Sequence, residues 1–167
     1  KMRELDKWRL KEILEDHERW LLGEPDGVRA DLSNVNLHGA DLFGAKLSWA
    51  NLSGANLAGA YLEYADLSHA NLTKCLLSSA YLASADLNGA NLSGSVMIKA
   101  NLSGAYLCKA ILLGCNLTMA NLEGVMAKEA NLAGSNLHKA QMENAYLGGA
   151  LLNRCNLREA DLEAANL

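Results

Sequence analysis

The sequence predicts an all-β solenoid of stacked turns, preceded by one short amphipathic helix. Three observations carry that prediction. From Ala30 to Leu167 the chain repeats every five residues without an insertion or deletion. Within each unit a large and a small apolar residue recur two positions apart. Leu fills 25 of the 28 large positions, with Met97, Ala127 and Met142 as exceptions, and Ala fills 21 of the 28 small ones, with Val, Cys or Ser elsewhere. Finally, 50% of the 167 residues are hydrophobic but only 5% are aromatic. Leu and Ala must therefore build the core almost alone, which a round core of this size does not do.

The repeat has a direct physical reading. Let i be the large position. Residues i and i−2 point the same way from an extended backbone, so both face inward. A period of five then requires a corner in every unit. Positions i+1 and i+2 are polar and mixed, and i+2 holds 11 of the 14 glycines, which suits a turn. A helix is excluded, because apolar residues at this period spread around a 3.6-residue helix and form no stripe. The unit Val125-Met126-Ala127 enlarges the small position and shrinks the large one together. That volume-conserving exchange makes sense if both side chains share one packed layer. No unit can bury its face alone, so the units must stack.

Position i−1 is Asn or Asp in 17 of 28 units, giving the motif A-(D/N)-L-x-x. Ala40-Asp41-Leu42-Phe43-Gly44 and Ala50-Asn51-Leu52-Ser53-Gly54 are examples. Residues 30–167 resemble the pentapeptide-repeat family through this motif. The resemblance implies a right-handed quadrilateral parallel β-helix with four repeats per coil. At about 4.8 Å per coil, about seven coils make a rod on the order of 33 Å long. Spacing alone leaves three or four sides open. Cys75, Cys115 and Cys155 lie 40 apart at i−2, as do Ser95 and Ser135, which suits a coil of 20. Residues other than Asn and Asp at i−1, however, recur at 15 slightly more often than at 20.

The two ends differ. Residues 1–29 are read as a separate N-terminal unit. Within 3–22, Leu10, Ile13, Leu14, His17, Trp20 and Leu21 fall on one helical arc, with Leu5 beside it. Gly23 suits the C-terminal cap and Pro25 blocks continuation. This helix is expected to cover the open end of the first coil, the alternative being a partner-binding helix; His17 is expected to be packed in the interface. At the other end the repeat runs to Leu167 with no covering segment. The expectation there is a two-fold dimer that covers Asp161, Leu162, Asn166 and Leu167, against a last coil that simply frays.

Catalytic and metal chemistry find no foothold. The three i−2 cysteines replace core Ala and read as small hydrophobes too far apart to pair. Cys108 has no cysteine partner in view, and no C-x-x-C suggests zinc. The histidines do not cluster. The Asn and Asp at i−1 read as turn residues, and no loop insertion offers a place for an active site. No cofactor or metal is expected, and no enzyme. No run of about 18 apolar residues spans a membrane. The first residues are dense in charge and show no signal-peptide run. Free thiols fit a reducing compartment, so the expected location is cytoplasmic.

Function is therefore expected on the outer surface. Folded at 20 per coil, one face collects Asp41, Glu63, Glu123, Glu143, Asp161 and Glu163, and the next corner adds Asp66 and Asp86, with only Lys46 nearby to offset them. The same face holds Phe43, Tyr61, Tyr64 and Tyr81. Aromatics beside carboxylates suggest a protein-binding patch; the competing reading is a ladder of like side chains that steadies stacked coils. The expected partner is another protein, not nucleic acid and not a membrane. The resemblance adds an alternative, because some pentapeptide-repeat proteins mimic duplex DNA and bind DNA gyrase. The solenoid's formal charge of only −3, from 8 basic and 11 acidic residues, is weak for such mimicry.

Overall fold

The computed structural model describes residues 1–167. From Asp31 to Asn166 every backbone bridge is parallel and joins residues 20 apart, as in Asp31↔Asn51, Asn71↔Asn91 and Tyr146↔Asn166. An offset of 20 with a unit of five gives four sides and settles the choice that spacing leaves open. The faces are centred, in chain order, on Leu32, Leu37, Leu42 and Leu47 and their counterparts in later coils. The interior is the predicted column: the Leu and Ala positions between Ala30 and Leu147 are nearly all buried. Val125 and Ala127 both lie inside it.

Backbone hydrogen bonding explains the rest of the motif. In Ala70–Lys74, the N–H of Ala70 donates to Leu67 O across the corner (3.1 Å), and that of Asn71 donates back one coil to Ala50 O (2.9 Å). Leu72 and Lys74 donate forward to Asn91 O (2.7 Å) and Ser93 O (2.9 Å). Only the Thr73 N–H is left over, and the Asn71 side chain accepts it at 3.1 Å. Every Asn and Asp at i−1 from Asp31 to Asp161 does the same for the residue two places on. The residue type is thus selected by the one amide the coil cannot satisfy.

Corners cost more than the glycine pattern suggests. Position i+2 has positive φ in every unit, including at Trp49, Tyr64, Met119 and Arg154. No β-branched residue occupies it, since branching at Cβ makes the left-handed region a true outlier. Glycine is required where a neighbour needs the space. His69 lies so close over Gly89 that a Cβ there would stand 2.5 Å from its Nδ1, and on its other side His69 stacks on Trp49 at 4.4 Å.

The second face carries a feature that the small-hydrophobe reading of cysteine does not contain. Its i−2 column runs Cys75, Ser95, Cys115, Ser135, Cys155. Each side chain donates to the carbonyl 23 residues earlier: Cys75, Cys115 and Cys155 Sγ at 3.0 Å, Ser95 Oγ at 2.7 Å and Ser135 Oγ at 2.6 Å. Each serine also accepts a backbone N–H, from Cys75 and Cys115. Burial pushes the Cys75 thiol up to about 12 and the Cys115 thiol to about 11, so neither is a thiolate near neutral pH. Cys75 N also reaches Leu72 O at 3.3 Å, whereas Cys115 N has Ser135 Oγ alone. Ser135→Ala is therefore expected to cost about 1–3 kcal/mol, the range for an orphaned buried donor, and more than Ser95→Ala. Urea unfolding of the two variants side by side measures the difference.

Helix α1 spans Lys7–Leu21, not 3–22. Asp6 starts it by accepting from Arg9 N, a favourable N-cap. The chain before it is extended and adds a rung to the second face: Arg3 pairs with Val35, donating to Asn34 O and accepting from Asn36 N. Gly23, with φ +74°, ends the helix. Ile13 and His17 are buried against the first coil, with Leu5, Leu10 and Leu14 packed around them; Leu21, counted in the apolar stripe, is exposed.

His17 fastens α1 to the coil. Its Nδ1 accepts from Ala30 N at 2.9 Å, its Nε2 lies 2.9 Å from Ser48 O, and its ring stacks on Trp20. A ring that accepts at Nδ1 carries its proton on Nε2 and is neutral. Burial holds its pKa below the ordinary 6.5, with Arg29 lowering it further and Ser48 and Glu18 opposing. The unfolded chain then binds the proton more readily. The stabilising contribution is complete above pH 6.5 and is lost as pH falls from there toward the folded value. The protection of the Ala30 amide should fall below pH 6.5, so that its exchange slows less with falling pH than the intrinsic rate does; a purely intrinsic profile would contradict this.

Candidate functional site

The third face, centred on Leu42, Leu62, Leu82 and so on to Leu162, presents two outward rows. The i−1 row is Asp41, Tyr61, Tyr81, Asn101, Asn121, Gln141, Asp161; the i+1 row is Phe43, Glu63, Ala83, Ser103, Glu123, Glu143, Glu163. Six carboxylates and no base project from it. The solenoid's two ion pairs, Lys109–Glu129 (3.8 Å) and Lys139–Glu159 (3.6 Å), lie on other faces and corners.

The structure divides the ten sequence-selected patch residues into three groups. Phe43, Tyr61, Glu63, Tyr64, Tyr81 and Asp41 stand together on the three coils nearest α1. The Tyr61 and Tyr81 rings stack in parallel with centroids 4.9 Å apart, and Phe43 meets Tyr64 at 5.6 Å. Asp41, Phe43, Tyr61 and Glu63 line a shallow depression of about 410 Å³ with Gly39. Glu123 and Glu143 sit farther along, beyond the neutral Asn101 and Ser103, and have no aromatic residue on their rungs of this face. Asp66 and Asp86 turn onto the fourth face. There their Oδ1 atoms accept from the backbones of Ser68 (3.0 Å) and Asn88 (2.9 Å), and Ser68 Oγ also donates to Asp66 at 2.6 Å. These two carboxylates are engaged as turn residues.

Two features of this region are not visible in the sequence. The Oε2 atoms of Glu63 and Glu143 are buried and lack a hydrogen-bond donor. A cleft of about 570 Å³ between α1 and the first coil, walled in part by Leu5, Leu10, Leu14, Leu37 and Ala40, shares Gly39 and Asp41 with the aromatic depression. The cleft lies where α1 meets the first coil, a contact made only on folding. The far end also differs from the body. Leu152, Leu157 and Leu162 are only half-buried, Leu167 is 72% exposed, and Asp161 and Asn166 are exposed as well. No helix is long and apolar enough to cross a membrane, and no group of three or more metal-ligating side chains is present.

Comparison with known proteins gives a consistent result. The family described as pentapeptide repeats matches in eight copies, over segments running from residue 26 to residue 167. The crystal structure of HetL, a pentapeptide repeat protein involved in heterocyst differentiation regulation from Nostoc sp. strain PCC 7120, is 35% identical. It matches with a TM-score of 0.51 over 81% of this chain and 65% of HetL. Rfr23 from Cyanothece 51142 is 33% identical, with a TM-score of 0.52 over 57% of this chain and 63% of that one. The chain thus spans somewhat less than two thirds of the length of either. A trypsin-treated form of QnrB1, a plasmid-mediated fluoroquinolone resistance protein, is 22% identical with a TM-score of 0.31 over 84% of this chain and 82% of its own. No curated protein sequence matches the chain. The 20-residue register, the turn-forming Asn and Asp, the Leu–Ala column and the family match agree: the chain belongs to the pentapeptide-repeat family, whose members form right-handed quadrilateral β-helices.

Proposed function

We propose that the chain is a non-enzymatic protein-interaction or scaffold module, and that its third face is the recognition surface. The observation that carries this reading is the cluster of four exposed aromatic side chains among carboxylates that have no base on the same face. Exposed aromatics are costly on a monomer surface and enriched at interfaces. The involvement of HetL in a regulatory process agrees with such a role. The test is capture of partners by the intact chain and by a variant carrying Tyr61→Ser, Glu63→Gln and Tyr81→Ser. A partner lost by this variant but kept by a Lys74→Ser, Lys128→Ser variant, which changes the corner between the first and second faces and the fourth face, supports the reading; equal capture by all three removes it.

A second reading is a DNA-mimicking binder of a type II topoisomerase, favoured by the acidic run Glu123, Glu143, Glu163 along the same face. A gyrase supercoiling assay with and without a quinolone decides it, and no effect at micromolar protein would dispose of it. The half-buried leucines of the last coil need a cover. A second copy meeting it end to end at Asp161, Leu162, Asn166 and Leu167, or further chain, would supply one. For the dimer, sedimentation should give twice the monomer mass, and a monomer at tens of micromolar would exclude it.

A further inference from the structure

We infer that the part of the third face nearest α1 is a docking site for a short arginine-bearing segment of another protein. This rests on the interaction-module reading and gives that module's partner a chemistry. Four rings are presented to solvent there: Phe43 and Tyr64 are 62% and 65% exposed, Tyr61 and Tyr81 46% and 42%. The parallel Tyr61–Tyr81 pair, with 2° between ring planes, forms a step at the edge of the depression that holds Asp41 and Glu63. Asp41 uses one carboxylate oxygen on its own turn, accepting from Phe43 N. Glu63 has an oxygen sheltered from water that accepts from nothing.

The missing complement is therefore a donor that is also flat and cationic. A guanidinium stacks on tyrosine faces and donates in a planar fork to a carboxylate. An ammonium offers only a point charge. An acidic segment would be repelled, and a wholly apolar one would bury Glu63 still further without a donor. The rod itself places few cations at this end; Lys7 and Lys11 of α1 line the adjoining cleft, and Lys11 is engaged on its own helix by Glu15 (3.7 Å) and the Trp8 ring. The corner leading onto the face from the second face carries Gly39, Gly59 and Ser79 in the first three coils, and only Lys46 stands at the other edge. The far half is different. Lys99 and Lys139 occupy that same corner in later coils, with Lys139 paired to Glu159. Glu123, Glu143 and Glu163 there offer charge without a stacking surface, an attraction that salt screens. The cleft under α1 continues from the depression and offers Leu5, Leu10, Leu14 and Leu37 to an apolar residue next to the arginine, with Lys7 and Lys11 among its polar lining.

The two halves of one face provide the control. Short fluorescent peptides with two arginines flanking a leucine, and matched peptides carrying lysine or neutral citrulline, are titrated against the intact chain at physiological ionic strength. The arginine peptide should bind saturably and at least about fivefold more tightly than the lysine peptide, with the citrulline peptide weakest. Tyr61→Ser, Glu63→Gln and Tyr81→Ser together should weaken it about tenfold or more, and Glu63→Gln alone should weaken it in the same direction if the triple variant melts early. Glu123→Gln, Glu143→Gln and Glu163→Gln together should change it less than about twofold. Equal affinity for arginine and lysine, equal loss in the two triple variants, or no saturable binding would each overturn the inference. A cellular partner lost by the aromatic variant, with no arginine preference in the peptides, would overturn this inference and leave the module reading standing.

Discussion

Leu92→Asp is expected to abolish cooperative folding of the solenoid. Leu92 is fully buried halfway along the rod, between Leu72 and Leu112 of the same inner column. It lies within the buried, almost wholly apolar core, and its own carbonyl already accepts from Ser95 N and Cys115 Sγ. A carboxylate there has no donor to meet. It must either stay ionised at a prohibitive desolvation cost or bind a proton and bury a polar group, still at several kcal/mol. Coils stabilise only their neighbours, so a failed central coil separates the stack into two shorter ones. Against a total stability of about 5–15 kcal/mol, that loss is decisive. Ser93→Asp, one residue on, is the matched control. Ser93 points outward and is half-exposed, so its effect should stay within about 0.5 kcal/mol. Thermal melts followed by circular dichroism compare the two, and a Leu92→Asp protein that melts cooperatively at the parent midpoint would contradict the packing account.

The second large effect is expected at Gly27, where the connection from α1 to the first coil passes against the helix. Its backbone has an ordinary φ, so conformation does not demand glycine. Space does. A Cβ would stand 2.5 Å from Trp20 Cα and 2.6 Å from the carbonyl carbon of Arg19, both backbone atoms that cannot swing away. Gly27→Ala must then push α1 off the coil end or displace the 24–28 segment, which is tied to the helix by Val28 N donating to Asp16 O at 3.0 Å. Either movement disturbs the His17 bonds to Ala30 and Ser48. Overpacking of this kind costs about 1–3 kcal/mol, and the disturbance should also appear as faster amide exchange at Ala30. Unchanged exchange and stability would mean that the contact is not tight. Nothing in the residue pattern warns of this position, because Gly27 reads as one more loop glycine after Pro25.

Much of the rod is legible because each rule is local and repeats. Leu92, Ala90 and Asn91 have counterparts coil after coil, so statistics across units stand in for an alignment. The outward direction of Tyr61 and Tyr81 follows from the same alternation. Several features resist. The start of α1 depends on Asp6 capping Arg9 and on Arg3 pairing with a face it meets only after folding. The Cys75–Cys155 column reads as apolar filler because residue type carries no bonding partner; that partner lies 23 residues earlier, on the preceding coil. Asp66 and Glu63 look alike in composition, yet one carboxylate is held in a turn and the other is left without a donor.

Residue order is enough to set the period, the inward and outward residues, the need for a corner in each unit and the presence of a helix before the first coil. These follow from side-chain size, backbone alternation and turn chemistry, which act over a few residues. That 20 residues close a coil is a property of the folded rod, because the number is set by which carbonyl each leftover N–H meets in the next layer. So is the line along which α1 crosses the first coil, and so is the single surface that Phe43, Tyr61, Glu63, Tyr64 and Tyr81 share with Asp41. Both depend on packing between parts of the chain whose separation no local rule measures.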